Sequence, residues 1–468
     1  MADYRAQLIA RYGGAVRQAG DRVEVTDRAK LATEATDQVV WAAVFGEPKE
    51  RDAARWLLWE LGQATGVRPA SIGGIYFARG RGECGGFTVP AINVRMLAYD
   101  TARAIYRAAK ARDAGAILVE IARSEIAYTD QRPAEYVSVI IGAALREGWE
   151  LPVFIQGDHC QVNAKKYATD PQGEVEEVKK LIGEEVGAGF YNIDVDTSTL
   201  VDLSKPSLAE QQRLNYERCA EITRFIREIE PEGISVSVGG EIGEVGHKNS
   251  TVEELRAFMD GYNAALPAGM EGLSKISVQT GTSHGGVVLP DGTMAQVKLD
   301  LEALSALSVA ARQYGMSGAV QHGASTLPQD AFGHFARLET AEIHLATNFQ
   351  SIVFDSQALP AELRQRMYAW LDENAQSEKK AGDTPEQFYY KARKKAIGPF
   401  KREVWSLPAG VRAQIAAELE QMFGFLFDQL KVGGTAGLVR RHVRAPDQSH
   451  ASLRRELVTA QDDADAGE

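Results

Sequence analysis

LPVFIQGDHC, residues 151–160, joins a strand-like apolar run to a polar end formed by Asp158 and His159. Three other runs end in a similar way: SVGGEIG at Glu241, QTGTSHGG at His284 and SGAVQHGAST at His322. Imidazole is a common zinc ligand, and a catalytic zinc site takes three protein ligands and keeps one position open. One histidine after a strand is usually structural, but three at equivalent strand ends indicate a shared metal site.

Strand-like and helix-like segments alternate along the chain from about residue 87. The apolar, β-branched runs that we predict as strands are 87–94, 114–122, 151–158, 190–196, 234–242, 273–281, 318–323 and 341–347. Segments between them, such as EVEEVKKLIGEEV and TVEELRAFMDGYNAAL, have apolar residues three to four positions apart, as in amphipathic helices. Strand and helix pairs in such a series predict an α/β protein with a (β/α)₈ TIM barrel.

The barrel gives the polar strand ends a common location. Active sites of such barrels lie at the carboxyl ends of the strands, in the loops that follow. The candidate residues that share this rim are Asn93, Asp158, His159, Asp196, Glu241, His284 and His322. Any one of them could belong to a structural network, but their common position favours a functional site.

Composition limits the classes of protein to consider. The 468 residues are 44% hydrophobic, which is enough for a large core, and no apolar run approaches the length of a membrane helix. The amino terminus lacks the apolar stretch of a signal peptide, so we predict a cytoplasmic protein that binds no membrane. The net charge of −12 argues against nucleic-acid binding. The three cysteines are scattered and indicate reduced thiols.

The regions outside the barrel are predicted as extensions. Residues 1–84 form a helical N-terminal extension, 85–375 the catalytic barrel, 376–443 a helical C-terminal extension, and 444–468 a disordered acidic tail. The extensions could cover the barrel or form a subunit interface. We expect a homo-oligomer.

Six motifs, in order over roughly residues 85–350, carry a family resemblance. They are TVPAINV, QGDHC, GFYNIDVDTS, GGEIGEVG, GTSHGG and QHGAST. Each is weak alone, but the ordered series resembles the class II, metal-dependent fructose-bisphosphate aldolases. The resemblance implies a carbon–carbon lyase that acts on a ketose or ketose phosphate through a metal-stabilised enediolate.

The resemblance also implies roles for individual residues. His159, His284 and His322 would hold a divalent metal, most simply Zn²⁺, with Glu241 and Asp196 as supporting or alternative ligands. Asp158 would move the proton of the reacting hydroxyl, or else would orient the histidine beside it.

The substrate-binding residues are predicted at several strand ends. Glycines such as Gly285 and Gly323 allow close backbone approach, so that amide groups could hold a sugar or phosphate oxygen with help from Ser325 or Thr326; tight turns are the equal alternative. Asn93, His344 and Thr347 complete the predicted set. His344 and Thr347 stand in HLAT, where the family usually has the phosphate-binding Asn-x-Asp-Thr.

The residue that moves the carbon-bound proton is less clear from the sequence. The loop after Glu241 contains Glu244 and His247, and we take Glu244 as the candidate, although its register differs from that of the family's acidic residue. Two alternatives to an aldolase therefore stay open. One is a ketose epimerase that works by retro-aldol cleavage and re-addition, and the other is a non-catalytic aldolase-like subunit.

Overall fold

The structure is a computed structural model that describes residues 2–243, 248–281, 299–324 and 327–450. Its N-terminal region combines four helices with a hairpin that the sequence analysis did not predict. These elements are α1 (Ala2–Ala10), β1 (Val16–Ala19), β2 (Arg22–Val25), α2 (Glu34–Phe45), α3 (Pro48–Thr65) and α4 (Gly73–Gly80). The hairpin strands are antiparallel and only four residues each, too short to give a periodic signal.

Eight parallel strands follow and close into a barrel. They are β3 (Val89–Asn93), β4 (Leu118–Ala122), β5 (Phe154–Gln161), β6 (Asn192–Asp196), β7 (Ser237–Glu241), β8 (Lys275–Val278), β9 (Ala319–Gln321) and β10 (Glu342–Leu345). Consecutive strands pair, and β10 closes the barrel against β3. Each overlaps one predicted strand, so the prediction of a (β/α)₈ barrel is confirmed.

Helices follow each strand and surround the barrel. They are α5 (Ala98–Lys110), α6 (Arg123–Thr129), α7 (Pro133–Arg146), α8 (Ala164–Thr169), α9 (Pro171–Ala188), α10 (Leu208–Gln211), α11 (Arg213–Ile229), α12 (Val252–Ala265), α13 (Leu301–Gln313), α14 (Phe332–Arg337), α15 (Thr347–Asp355) and α16 (Ala361–Asn374). The C-terminal region adds α17 (Pro385–Ala392), a 3₁₀ turn (Arg393–Ala396), α18 (Lys401–Trp405), α19 (Ala409–Gln429) and α20 (Ala436–His442).

Local sequence explains where these helices begin and end. The Asp170 side chain accepts a hydrogen bond from Gly173 N at 3.0 Å, and Pro171 stands in the first turn of α9. The helix ends at Gly189, whose φ of 115° favours glycine. Thr251 and Glu254 form a capping box at the start of α12.

The N- and C-terminal regions pack on the outside of the barrel. α19 lies along α5, while α2 and α3 pack against α7. Residues 444–450, the start of the predicted tail, contact the N-terminal region: Trp59 Nε1 donates to Gln448 O at 2.7 Å, and Asp447 lies 3.3 Å from Arg68. The remainder of the predicted tail, 451–468, lies outside the described residues. The described helices include none with the length and hydropathy needed to cross a membrane.

Candidate functional site

An irregular strand end presents His159 to the mouth of the barrel. The register between β5 and β6 shifts between Gly157 and Cys160, which is a bulge-like irregularity. His159 lies within this shift and has a φ of 45°, a left-handed conformation that is uncommon for residues other than glycine. Such backbone conformations persist where the surrounding structure enforces them, and they cluster at functional sites.

Two histidines and one glutamate converge at this mouth. Nε2 of His159 lies 2.7 Å from Nδ1 of His322, and Nδ1 of His159 lies 3.6 Å from a carboxylate oxygen of Glu241. One ligand atom from each of the three lies within 4.8 Å of the other two. Imidazole and carboxylate are donors that a divalent metal such as zinc accepts, so the residues present fit such an ion. Ser277 Oγ lies 2.8 Å from Nε2 of His322 and fixes the orientation of that ring.

Asp196 supports the His159 ring from the end of β6. One carboxylate oxygen accepts hydrogen bonds from Ser198 N at 3.0 Å and Ser198 Oγ at 2.7 Å. The other accepts from Gln161 Nε2 at 2.5 Å and lies 3.4 Å from Nδ1 of His159. Burial raises the pKa of Asp196, but the contact with His159 and the positive charge of that ring, followed by the hydrogen bonds from Ser198 and Gln161, lower it by more, so the net pKa is below its ordinary value. Asp196 is therefore an ionised support for the imidazole.

The pKa of Glu241 is shifted in the opposite direction to that of Asp196. Burial, followed by the nearby negative charge of Asp196, raises its pKa to about 8. A buried carboxyl group whose charge is this costly gains strongly from a cation placed beside it. This favours Glu241 as a metal ligand, in agreement with its position beside the two histidines.

Asp158 contacts the histidine of the eighth strand. Its Oδ1 lies 3.1 Å from Nδ1 of His344, and the His344 ring stacks on His322 with centroids 4.1 Å apart. Burial lowers the pKa of His344, but the carboxylates of Glu120 and Asp158 raise it by more, so the net pKa lies well above its ordinary value. His344 was predicted as a substrate-binding residue, and the structure brings it next to both Asp158 and His322.

A layer of charged side chains inside the barrel was not predicted. Lys275 Nζ donates to Gln156 Oε1 at 2.7 Å and Glu342 Oε1 at 2.5 Å, and lies 2.9 Å from Asp194. Gln156 Nε2 also donates to Glu120 at 2.9 Å. Lys275 and these carboxylates are at most 5% exposed. The available signal was a charged or amide residue inside several of the apolar strand runs, for example the lysine in SKISV.

Of the remaining predicted site residues, some are described by the structure and others lie outside the described part of the chain. Asn93 is 2% exposed and donates to Glu125 at 2.5 Å while accepting from Arg95 Nε at 3.1 Å. Gly323 has a φ of 65°, and Thr347 begins α15. The predicted residues outside the described part of the chain are Glu244, His284, Gly285, Ser325 and Thr326, together with the alternative His247.

The fold and the site together define a (β/α)₈ barrel with a histidine–carboxylate centre suited to a divalent cation. The chain belongs to the family described as "Fructose-bisphosphate aldolase class-II", whose sequence profile matches residues 81–403. The resemblance inferred from the six motifs is thereby confirmed. A sequence comparison with curated proteins gave no match.

Solved structures similar to this chain include two sugar-converting enzymes. The native fructuronate-tagaturonate epimerase of Cohnella laeviribosi has a TM-score of 0.55 and 12% identity, with 91% of this chain and 99% of the epimerase covered. A fructose-bisphosphate aldolase of Campylobacter jejuni has a TM-score of 0.45 and 18% identity, with 79% of this chain and 98% of the aldolase covered. At these identities the likeness to the epimerase shows a shared fold.

Proposed function

We propose that this protein is a metal-dependent lyase that cleaves and forms the aldol bond of a ketose or ketose phosphate. The observation that carries the proposal is the convergence of His159, His322 and Glu241 within 4.8 Å, beside the buried carboxylate of Asp158. Family membership supports the aldolase type of reaction.

The metal would be held by His159, His322 and Glu241, with His284 as a further proposed ligand; Zn²⁺ suits this donor set. When bound, the ion supplies Lewis acidity toward a ketone and its neighbouring hydroxyl oxygen. Asp196 would keep the His159 ring oriented through the contact at 3.4 Å.

Asp158 would accept the proton of the hydroxyl on the carbon that becomes the aldehyde. As that O–H bond breaks, a carbonyl forms, the adjacent carbon–carbon bond breaks, and its electron pair remains on the ketone-derived fragment. A second acid must then protonate that carbon, and we propose Glu244 for this role. Condensation is the same sequence in reverse. Sugar oxygens would be bound by Asn93, Gly285, Gly323, Ser325, Thr326, His344 and Thr347.

Cleavage of fructose 1,6-bisphosphate is the direct test of this proposal. We expect zinc-loaded protein to release triose phosphates, to lose the activity after EDTA treatment and to regain it when zinc is restored, because the Lewis acid is required for bond cleavage. A coupled triose-phosphate assay measures the release. Activity that is indifferent to EDTA would contradict the metal-dependent mechanism, and no cleavage by zinc-loaded protein would exclude this substrate.

Replacing Asp158 by Asn separates proton transfer from metal binding. We expect kcat to fall by about 10²–10⁴-fold, the usual contribution of a general acid or base, with the metal content unchanged. Steady-state kinetics and elemental analysis measure the two quantities. The matched control is Asp202→Asn in the loop before α10, where the carboxylate accepts from Ser204 Oγ at 2.6 Å and lies 3.5 Å from Lys205. An unchanged kcat in Asp158→Asn would show that Asp158 does not transfer the proton.

Epimerisation is the second candidate, and it is favoured by His344, which lies 3.1 Å from Asp158. Two proton-carrying groups in contact suit a reaction that cleaves a bond and re-forms it on the opposite face of the aldehyde. The epimerase of known structure shares the fold over 91% of this chain. Product analysis by NMR distinguishes the candidates, because an epimerase returns an intact ketose with one inverted carbinol centre and a lyase releases two fragments.

A further inference from the structure

Helix α4 of the N-terminal region lies at the amino-terminal end of the barrel, opposite the candidate site. Directly before the helix, Ile72 N donates to Oδ1 of Asn192, the first residue of β6, at 2.8 Å. In its last turn, Arg79 Nη1 donates to Ala341 O, directly before β10, at 3.2 Å. The helix is therefore fixed to the starts of two barrel strands.

Tyr76 extends from this helix to the charged layer inside the barrel. The residue is 0% exposed, and its hydroxyl donates to Oε2 of Glu342, the first residue of β10. Burial, followed by the negative charge of Glu342, raises the pKa of Tyr76 well above its ordinary value. The phenol therefore stays protonated and acts as the donor in this contact.

The second oxygen of Glu342 faces three other groups. Oε1 accepts from Lys275 Nζ at 2.5 Å and from Gln156 Nε2 at 2.9 Å. The same oxygen lies 2.7 Å from Nε2 of His344. Because a carboxylate group is planar, a hydrogen bond that holds one oxygen also restricts the position of the other. The Tyr76 hydroxyl thus sets the orientation in which Oε1 faces His344.

His344 connects Glu342 to the candidate site. Alternate residues of a strand point to the same face, so both side chains point into the barrel, with His344 nearer the mouth. On the other side of the ring, Nδ1 lies 3.1 Å from Oδ1 of Asp158 and 3.2 Å from Oε2 of Glu120. The ring is held between Glu342 and these two carboxylates. A continuous series of contacts therefore joins Tyr76 to Asp158.

We propose that Tyr76 is a positioning residue for the proton transfer at Asp158. It acts through Glu342, whose orientation it fixes, and then through His344. The inference rests on the proposed function, in which Asp158 accepts the proton of the reacting hydroxyl. A displacement of about 1 Å at a reacting group can reduce a rate a hundredfold, so orientation alone is sufficient for a large effect. The N-terminal region thereby contributes to catalysis as well as to closing the barrel.

Tyr76→Phe tests the proposal, because it removes the hydroxyl and keeps the ring. We expect kcat for the converted ketose to fall by about ten- to a hundredfold, since Asp158 is misplaced. KM and the zinc content should stay near those of the wild type, because the metal ligands are unchanged. Steady-state kinetics and elemental analysis of zinc-loaded, full-length protein, well below its unfolding temperature, measure these quantities.

Tyr262→Phe is the matched control. Tyr262 is also 0% exposed, and it donates to Thr223 Oγ1 at 3.0 Å, between α12 and α11 outside the barrel. This variant should lower the unfolding temperature, as loss of a buried hydrogen bond does, but should leave kcat as in the wild type.

A double variant tests the path through His344. Adding Tyr76→Phe to His344→Gln should reduce kcat by less than the same change does in the wild type, because the series of contacts is already interrupted. An equal loss of kcat in both backgrounds would overturn this path.

An NMR measurement separates the inference from the proposed function. In zinc-loaded protein with isotope-labelled histidine, the ring signal of His344 is identified by its absence from His344→Gln. We expect Tyr76→Phe to shift this signal and Tyr262→Phe to leave it in place. A shift in a protein that converts no ketose tested would support the link from Tyr76 to His344 and reject the function. Turnover with the same kcat in Tyr76→Phe and the wild type, or an unshifted signal, would overturn Tyr76 as a positioning residue.

Discussion

His322→Ala is expected to lose the bound divalent metal and to reduce kcat/KM for the cleaved ketose by about a thousand-fold, or ~4 kcal/mol of transition-state stabilisation. The reason is geometric. Nδ1 of His322 lies 2.7 Å from Nε2 of His159, and Glu241 completes the described ligand group. Removing one imidazole leaves one imidazole and one carboxyl group of the described ligand group, fewer than the three protein ligands that a catalytic zinc site takes. Elemental analysis of dialysed protein and steady-state kinetics measure the two losses.

His334→Ala is the matched control for this experiment. His334 is on α14, and the described ring contact is with Arg337 at 2.9 Å, outside the ligand group. This variant should keep the metal and the activity. Ser277→Ala provides an intermediate case, because the Ser277 hydroxyl contacts Nε2 of the His322 ring, whereas Nδ1 faces His159. Loss of such a support typically weakens metal binding by about 10–100-fold. Full metal occupancy in His322→Ala would show that the ion is held by other residues.

The barrel could be predicted because its signal is local. Each strand is a short apolar run and each helix has an apolar face, so their alternation can be identified without any long-range contact. The carboxyl ends of the strands lie at one rim of such a barrel, so the predicted strand ends also place His159, Glu241 and His322 at a common location. The structure brings these three together, while the metal role of each remains a proposal.

Other parts of the site depend on contacts between distant segments. The bulge at His159 arises from the register of β5 against β6, and the pairing of Asp158 with His344 joins the third and eighth strands. The C-terminal region is joined to α6 by a hydrogen bond from Gly398 N to Tyr128 O, two residues that are 270 positions apart in sequence. Composition and periodicity contain no information on such pairings, since they describe each segment alone.

The charged layer inside the barrel also depends on contacts between distant strands, and it leads to a second prediction. Lys275 is 1% exposed and lies between Asp194 at 2.9 Å and Glu342 at 2.5 Å. Burial lowers the pKa of Lys275, but these two carboxylates raise it by more, so the lysine stays charged. The pKa of Glu342 is lowered to about 2: burial opposes this, but Lys275 and His344 outweigh burial. Each charge in this layer is tolerated because an opposite charge lies beside it.

Lys275→Met is therefore expected to lower the free energy of unfolding by about 3–5 kcal/mol at pH 7, the usual cost of leaving a buried partner charge uncompensated. The urea midpoint measures the change. Adding Glu342→Gln to Lys275→Met should recover part of the loss, because the double variant removes the orphaned carboxylate. The exposed pair Lys180–Glu177 gives the control, and Lys180→Met should change stability by less than about 1 kcal/mol.

The pH dependence provides an independent check on the same ion pair. A carboxylate with a lowered folded-state pKa stabilises the protein above its unfolded value and loses that contribution as pH falls toward the folded value. For Glu342 the window runs from 4.5 down to about 2. The wild type should therefore lose stability across this window, and its advantage over Lys275→Met should narrow there. If the wild type and Lys275→Met differ by the same free energy of unfolding at pH 7 and at pH 3, lost packing rather than lost charge compensation causes the destabilisation.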